Sequence, residues 1–150
     1  MHAKGHFGLT LFILSLIGLP IGFGPENLMI FIIFLSAILS SLPDIDIKIG
    51  ISHRTVTHSL LFAIIIGILF GILLGYSSGL LYGFLGFIAG FLAIVIHMLG
   101  DLMTFQKFNP LWPFKQNYLS YGLFEAKSKA ANNIFFVLGW IMFFVYIFIS

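Results

Sequence analysis

The sequence contains no cysteine, so disulfides and thiolate metal sites are both excluded. Charge is almost as scarce: only 8% of the 150 residues are charged, whereas a soluble domain carries about 25%. With 60% hydrophobic residues, the chain cannot cover a surface that faces water. Lipid must therefore be the solvent for most of its length. We predict a single integral-membrane domain over residues 1–150, with no separate soluble module.

Five long apolar runs divide the chain, at residues 7–23, 27–42, 59–75, 79–100 and 131–149. Each is close to the ~20 residues that a helix needs to cross a bilayer. The runs are continuous rather than alternating, which favours helices over the strands of a barrel. The predicted fold is an all-α membrane protein, a bundle of about five transmembrane helices.

The stretch between the last two runs, residues 108–133, is too polar to span a membrane. Pro110 and Pro113 interrupt any helix there. Trp112, Tyr118 and Tyr121 are typical of residues that anchor a segment at the membrane surface. We predict an interfacial loop between helices 4 and 5, lying over a functional site or on the lipid.

Basic residues are distributed very unevenly. With five crossings, the N-terminus, the loop after helix 2 and the segment after helix 4 share one side of the membrane. That side holds every Lys and Arg: Lys4, Lys48, Arg54, Lys107, Lys115, Lys127 and Lys129. The other side holds Glu26 as its only charged side chain. The positive-inside rule then predicts a multi-pass protein of the inner or plasma membrane with a cytoplasmic N-terminus.

Histidines and most of the acids fall on that same side. They are His2, His6, His53, His58, His97, Asp44, Asp46 and Asp101. Random placement would have put some of them on the opposite side. The pattern predicts a polar cluster at the cytoplasmic boundary of the membrane.

Two short motifs indicate metal binding in that cluster. "HMLGD" places His97 and Asp101 four residues apart, on one face of a helix. A histidine nitrogen with a carboxylate oxygen suits Zn²⁺, with Mn²⁺ or Fe²⁺ as alternatives. "LPDID" adds Asp44 and Asp46, of which one can bind metal while the other orients a histidine or accepts a proton. Their spacing does not rank the two, and a helix-capping aspartate is the alternative for either.

"HRTVTHS", residues 53–59, contributes His53 and His58 as further candidate ligands. Five residues apart, they align poorly on one helix. We therefore expect His53 in the loop and His58 in the first turn of helix 3, with Thr57 or Ser59 as its N-cap. Arg54 has the fork geometry that binds phosphate or carboxylate. A contact with lipid headgroups is its alternative role.

"HAKGH" offers His2 and His6, and we favour His6 because it lies nearer the membrane. His2 is the weaker candidate, since terminal residues are often poorly ordered. Glu125 is a candidate base or ligand, and a surface position beside Lys127 and Lys129 is its alternative.

The segments "PDID", "HRTVTHSLLF", "HMLGDLMT" and "LWPF", in this order, resemble the YdjM-like family of LexA-regulated, membrane-bound metal-dependent hydrolases. "KGHFG" looks like the start of that family, and the resemblance covers about residues 4–115. It implies a polytopic inner-membrane protein with hydrolase activity. The family is similar in turn to zinc-dependent phospholipases C and fungal nucleases. By position, the resemblance implies ligands at His6, Asp44 or Asp46, His53 or His58, His97 and Asp101.

Two positions depart from that pattern. This chain reads "HRT" where the family usually has "HRG". It also reads "TFQKFNPLWPF", without the glycine that usually follows the threonine. Neither change affects a candidate ligand, although the second bears on the conformation of the loop.

These observations lead to one main hypothesis. The chain is expected to be a hydrolase with one to three divalent ions, zinc first among them, at the cytoplasmic membrane interface. A phosphoester of a lipid is the expected substrate, with Asp46 or Asp44 as proton acceptor and Arg54 as anion clamp.

Non-catalytic roles are the alternatives. A structural or stress-related metal-binding membrane protein is the main one. Transport is disfavoured because the helix interiors contain almost no charge. Nucleic acid is not an expected partner, since topology explains the basic residues more simply.

Overall fold

A computed structural model describes residues 1–21, 28–46 and 54–149. Its regular elements are α1 (Ala3–Gly18), α2 (Leu28–Leu39), α3 (Leu60–Ser78), α4 (Leu80–Leu102) and α5 (Lys129–Ile149), with a short 3-10 helix at Leu42–Asp44. Within these described ranges no strand occurs, only isolated β-bridges. The predicted all-α fold with five helices is confirmed.

The first helix begins at Ala3 rather than at residue 7, so His6 lies inside it and not before it. The Thr10 hydroxyl donates a hydrogen bond to the His6 carbonyl oxygen within the same helix, over 2.9 Å. The polar residues at this end therefore continue the helix instead of interrupting it.

The third helix begins at Leu60, and the cap predicted at Thr57 or Ser59 is Ser59. Its hydroxyl accepts the backbone N–H of Phe62 over 3.2 Å. The prediction that His58 lies in the first turn is wrong, because the capping residue follows it in the chain. His58 lies in the turn before the helix, where its ring is fully buried.

Glycines bring two pairs of helices close together. A Cβ added at Gly139 of α5 would lie only 2.2 Å from the carbonyl oxygen of Gly8 in α1. Between α3 and α4, Gly67 and Gly90 face each other in the same manner. Small residues of this kind allow helix backbones to approach closely in lipid.

Three helices are long and apolar enough to cross a membrane: α3, α4 and α5, with 19, 23 and 21 residues. Leu69 and Ile72 of α3 are more than half exposed, as lipid-facing side chains would be. α1 and α2 have 16 and 12 residues, fewer than the ~20 of a typical span. Five crossings and a cytoplasmic N-terminus therefore stay predictions.

One end of the bundle carries the polar residues. The starts of α1, α3 and α5 meet the ends of α2 and α4 there, as the contacts among their side chains show. The segment 103–128 folds back over this end. It is held by hydrogen bonds from Leu60 N–H to the Pro110 carbonyl, 2.9 Å, and from Tyr121 N–H to the Leu102 carbonyl, 2.7 Å. The loop predicted between helices 4 and 5 thus contributes to the polar end of the bundle.

The natural absence of cysteine makes the predicted orientation directly testable. Lys115 is exposed in the segment 103–128, and Ser78 is exposed at the opposite end of the bundle, as the last residue of α3. In intact cells, a membrane-impermeant maleimide is expected to label Ser78→Cys and to reach Lys115→Cys only after the membrane is permeabilised. The reverse labelling pattern would show that the N-terminus lies outside.

The contact between α1 and α5 makes a prediction about stability. Gly139→Ala places a methyl group against the Gly8 backbone, so the two helices must separate. Overpacking of this kind costs about 1–3 kcal/mol in free energy of unfolding. Gly75→Ala is the matched control, because its Cβ would lie 3.4 Å from the Gly83 Cα, an ordinary contact. We expect thermal unfolding in detergent to shift down by several degrees for Gly139→Ala alone, and equal midpoints would contradict the close packing.

Candidate metal centre

Five candidate ligands meet at the polar end of the bundle. They are His6 in α1, Asp44 at the end of the 3-10 helix, His58 before α3, and His97 and Asp101 near the end of α4. All are fully buried except Asp44, whose side chain is 21% exposed. The structure thus brings together residues from three helices and one turn that the sequence separates by up to 95 positions.

The predicted pair on α4 lies on one face of the helix as expected. His97 Nε2 is 3.7 Å from Asp101 Oδ2. His58 approaches both: its Nε2 lies 3.1 Å from His97 Nε2 and 3.2 Å from Asp101 Oδ2. Two histidines and one carboxylate therefore present three atoms towards a single point.

Asp44 completes a set of four atoms. Its Oδ1 is 3.7 Å from His97 Nε2 and 3.8 Å from His58 Nε2. Ligands bound to zinc at about 2.0–2.2 Å with tetrahedral angles lie roughly 3.3–3.6 Å from one another. The five measured separations, from 3.1 to 3.8 Å, fall around that range. The four side chains fit a small divalent cation.

The hydrogen bond at Nδ1 of His97 determines the tautomer of the ring, and so whether Nε2 presents a lone pair to the other ligands. His97 Nδ1 lies 2.6 Å from the carbonyl oxygen of Ser40. A carbonyl only accepts, so Nδ1 must donate its proton. In the neutral ring Nε2 is then unprotonated, which is the state that binds metal.

The same reasoning applies to His58 through one more residue. The Thr57 hydroxyl donates its only proton to Asp46 Oδ2 over 2.6 Å. It must therefore accept from His58 Nδ1, 3.0 Å away, which leaves His58 Nε2 unprotonated in the neutral ring. Burial lowers the pKa of His58 below its ordinary value and so favours that neutral state.

Two imidazole lone pairs thus face each other at 3.1 Å in a buried site. Lone pairs at that distance repel unless a cation or a proton lies between them. Two carboxylates beside the same atoms favour a divalent cation. This buried histidine and aspartate group can hold a metal ion.

His6 extends the group on one side. Its ring stacks on that of His97 with 3.7 Å between centroids, and its Nε2 is 3.4 Å from Asp101 Oδ1. Both ring nitrogens of His6 are buried, and neither has a hydrogen-bond partner within the described part of the chain. His6, Asp44 and His97 form a second trio whose ligand atoms lie within 4.8 Å of one another. His6 is therefore available to a cation on that side.

Asp101 also balances two positive groups. The amino group of Met1 contacts its Oδ1. The Arg54 guanidinium lies 3.0 Å from its Oδ2 through Nη2. Sequence reasoning missed this pairing of Arg54 with a ligand, because the two residues are 47 positions apart and on different elements.

Arg54 ties the centre to the overlying segment. Its backbone has a φ of 66°, a left-handed conformation that is uncommon outside glycine. Its N–H donates to Asp46 Oδ2 over 3.3 Å, and its Nη1 donates to the Gln106 carbonyl over 2.8 Å. Strained backbone of this kind clusters at functional sites, where the surroundings hold it in place.

An open cavity of about 620 Å³ reaches the centre from the polar end of the bundle. Asp44 and Arg54 form part of its wall beside residues of α1 and of segment 103–128. The remaining lining residues are Met1, His2, Ala3, Phe105, Gln106, Glu125, Ala126 and Lys127. A substrate-sized molecule in this cavity would lie next to Asp44.

Two candidates from the sequence, His2 and Glu125, lie outside the ligand groups, and a third is not described. His53 lies outside the described residues. His2 is exposed at the cavity, and its backbone N–H donates to Asn132 Oδ1 over 2.9 Å. Glu125 is exposed and pairs with Lys127 at 3.8 Å, which is the surface role expected as its alternative. Neither His2 nor Glu125 belongs to the metal-ligand groups found among the described residues.

A comparison with protein families gives one match. The YdjM inner membrane protein family matches residues 1–150, the whole chain. No curated protein and no solved structure matches.

The hydrogen-bond chain behind His58 makes a prediction about metal affinity. Thr57→Val removes the hydroxyl that accepts from His58 Nδ1 and donates to Asp46. Loss of such a supporting contact typically weakens metal binding about 10–100-fold. Titration of the metal-free protein with Zn²⁺ measures the change. Thr57→Ser keeps the hydroxyl and is expected to restore the affinity, whereas equal weakening in both variants would contradict the role of the hydroxyl.

Proposed function

The chain belongs to the YdjM inner membrane protein family, and from that membership and the buried centre we propose a membrane-embedded, metal-dependent hydrolase. Its substrate is a phosphoester of a lipid or lipid-like molecule at the cytoplasmic face. The observation that carries this proposal is the pair of imidazole lone pairs at 3.1 Å, flanked by carboxylates and open to a cavity.

His58, His97, Asp101 and Asp44 are the proposed ligands, and His6 extends the set if a second ion binds. Zinc is the proposed ion, since nitrogen and oxygen donors at these separations suit it. When bound, a divalent cation supplies the charge that polarises a phosphoester and acidifies water.

Asp44 is also the proposed proton acceptor, through Oδ2, since Oδ1 is the atom counted among the ligands. It is the most exposed carboxylate of the centre and it borders the cavity. Water adds to phosphorus and loses a proton to Asp44. As the bond from phosphorus to the alkoxide breaks, Asp44 returns that proton to the departing alkoxide, which leaves as an alcohol.

Asp46 is a weaker candidate for that role. It is fully buried and already accepts from Thr57 and from the Arg54 backbone. These contacts support a positioning role behind His58. The role of Asp46 as a base stays a prediction.

Arg54 is proposed to attract the anionic part of the substrate. Its side chain forms part of the cavity wall, and its link to Asp101 fixes a positive charge close to the ligands. A guanidinium in this position suits phosphate oxygens, which it recognises through paired N–H groups.

Two features support a lipid over a soluble substrate. The cavity opens at the end of a bundle whose long helices are apolar enough to span a membrane. Phe105 lines the cavity and is 58% exposed, so an apolar surface continues outward from it. A molecule with both a phosphate and an apolar part matches such walls.

One observation favours a rival, a metal-binding membrane protein without catalysis. Four protein atoms would complete a tetrahedral set, and closed sets of this kind are typical of structural sites. The exposure of Asp44 towards the cavity argues for the catalytic alternative. Turnover decides between the two.

The direct test is to purify the protein in detergent, measure bound metal, and assay release of phosphate-containing products from phospholipids. We expect His97→Ala to lose both metal and hydrolysis, because it removes a central ligand. His2→Ala is the matched control for metal content, since His2 lies outside both ligand groups. Absence of metal from the wild type would overturn the proposal, and stoichiometric metal without turnover would favour the structural rival.

A further inference from the structure

A second, smaller cavity also borders Asp44. Its volume is about 260 Å³, and it is lined by Ala3, Ser41, Leu42, Asp44 and Ile45. Among the described residues, Ala3 and Asp44 are the two that line both cavities. Asp44 therefore borders two spaces, and apart from Ala3 their other lining residues differ.

The two sets of walls differ in chemistry. The lining of the larger cavity includes the cations of Arg54 and Lys127, the amide of Gln106 and the carboxylate of Glu125, which pairs with Lys127. Among the described residues, the smaller cavity has no cation in its lining, and Leu42 and Ile45 are its large apolar side chains. It lies directly after α2, and Ile45 is 45% exposed there. A molecule that spans Asp44 would thus be charged on one side and apolar on the other.

From this arrangement we propose that the smaller cavity is a subsite for the first part of a lipid chain, while the lipid's phosphate occupies the larger cavity near Arg54. This inference rests on the proposed function and deepens it, because it names an anionic lipid rather than a free phosphate compound as the ligand. Asp44 then lies at the junction of the headgroup and the chain.

The lining residues that the two cavities share, Asp44 and Ala3, support this division of the ligand, because they place the two spaces next to each other. Each methylene that leaves water for an apolar wall strengthens binding about fourfold. Two or three methylenes of a chain in the smaller cavity therefore give at least about a tenfold preference over a headgroup alone. A soluble phosphate compound gains nothing there.

Binding can be measured without catalysis. The probes are the non-hydrolysable methylene phosphonate analogues of dihexanoyl phosphatidic acid and of glycerol phosphate, with inorganic phosphate as a third arm. They are titrated by calorimetry into the metal-loaded protein in phosphatidylcholine nanodiscs. We expect the dihexanoyl analogue to bind at least about tenfold more tightly than the glycerol analogue.

Ser41→Phe fills the smaller cavity, and it is expected to remove that preference while leaving the affinity for the glycerol analogue unchanged. Ser78→Phe makes the same substitution at the exposed last residue of α3, and it controls for partition of the probe into the disc. Ile45→Trp is a second way to fill the cavity. If Ser41→Phe loses its metal, Ile45→Trp tests whether filling the cavity removes the preference for the dihexanoyl analogue.

The outcomes separate the two proposals. If the glycerol analogue binds but the chain adds nothing, or if both filling variants keep the preference, the lipid subsite is overturned and the hydrolase proposal is not. If inorganic phosphate binds as tightly as the dihexanoyl analogue, the ligand is a free anion, and the subsite is again overturned. If no phosphonate binds, both proposals fail.

Discussion

The contact between His58 Nε2 and His97 Nε2, 3.1 Å apart, is the constraint on which the polar end of this bundle depends. In a chain with 8% charged residues, two buried lone pairs facing each other would be strongly unfavourable without a positive charge between them. Each ring is nevertheless held in that orientation by an acceptor at its other nitrogen. The fold therefore maintains a geometry that an ion of two positive charges stabilises.

The acceptors that orient the rings come from places where the backbone ends a regular element. Ser40 follows the last residue of α2, and carbonyls at a helix end lack partners within the helix. Its carbonyl is therefore free to accept from His97. Thr57 lies in the turn before α3 and links His58 to Asp46. Helix ends thus supply the polar atoms that apolar helix interiors lack.

The helical fold and the clustering of the histidines could be predicted from the sequence, because both depend on the periodicity and length of the apolar runs. The uninterrupted apolar runs predicted an all-helical fold, and four-residue spacing placed His97 and Asp101 on one face. The alternation of helix directions predicted that histidines from three segments would meet, and His6, His58 and His97 do so. These conclusions need no knowledge of side-chain contacts.

The remaining features depend on contacts between distant segments. Asp44 and Asp46 were equivalent by spacing, and they differ because Thr57 and Arg54 bind Asp46 whereas Asp44 faces the cavities. His6 was expected before α1, and the helix extends past it because its neighbours pack against α5. No local pattern could reveal either outcome.

Charge balance indicates how a metal-loaded centre would respond to an anion. Among the described residues, the centre contains three buried or half-buried carboxylates, those of Asp44, Asp46 and Asp101, and two cations, the guanidinium of Arg54 and the amino group of Met1. With neutral histidines the group carries one net negative charge, so a divalent cation turns it into one net positive charge. In a site of low dielectric constant, this net positive charge interacts strongly with a nearby anion. A phosphate group entering the cavity beside Asp44 would neutralise it, and the same step would bring a phosphoester within reach of the carboxylate proposed to accept a proton.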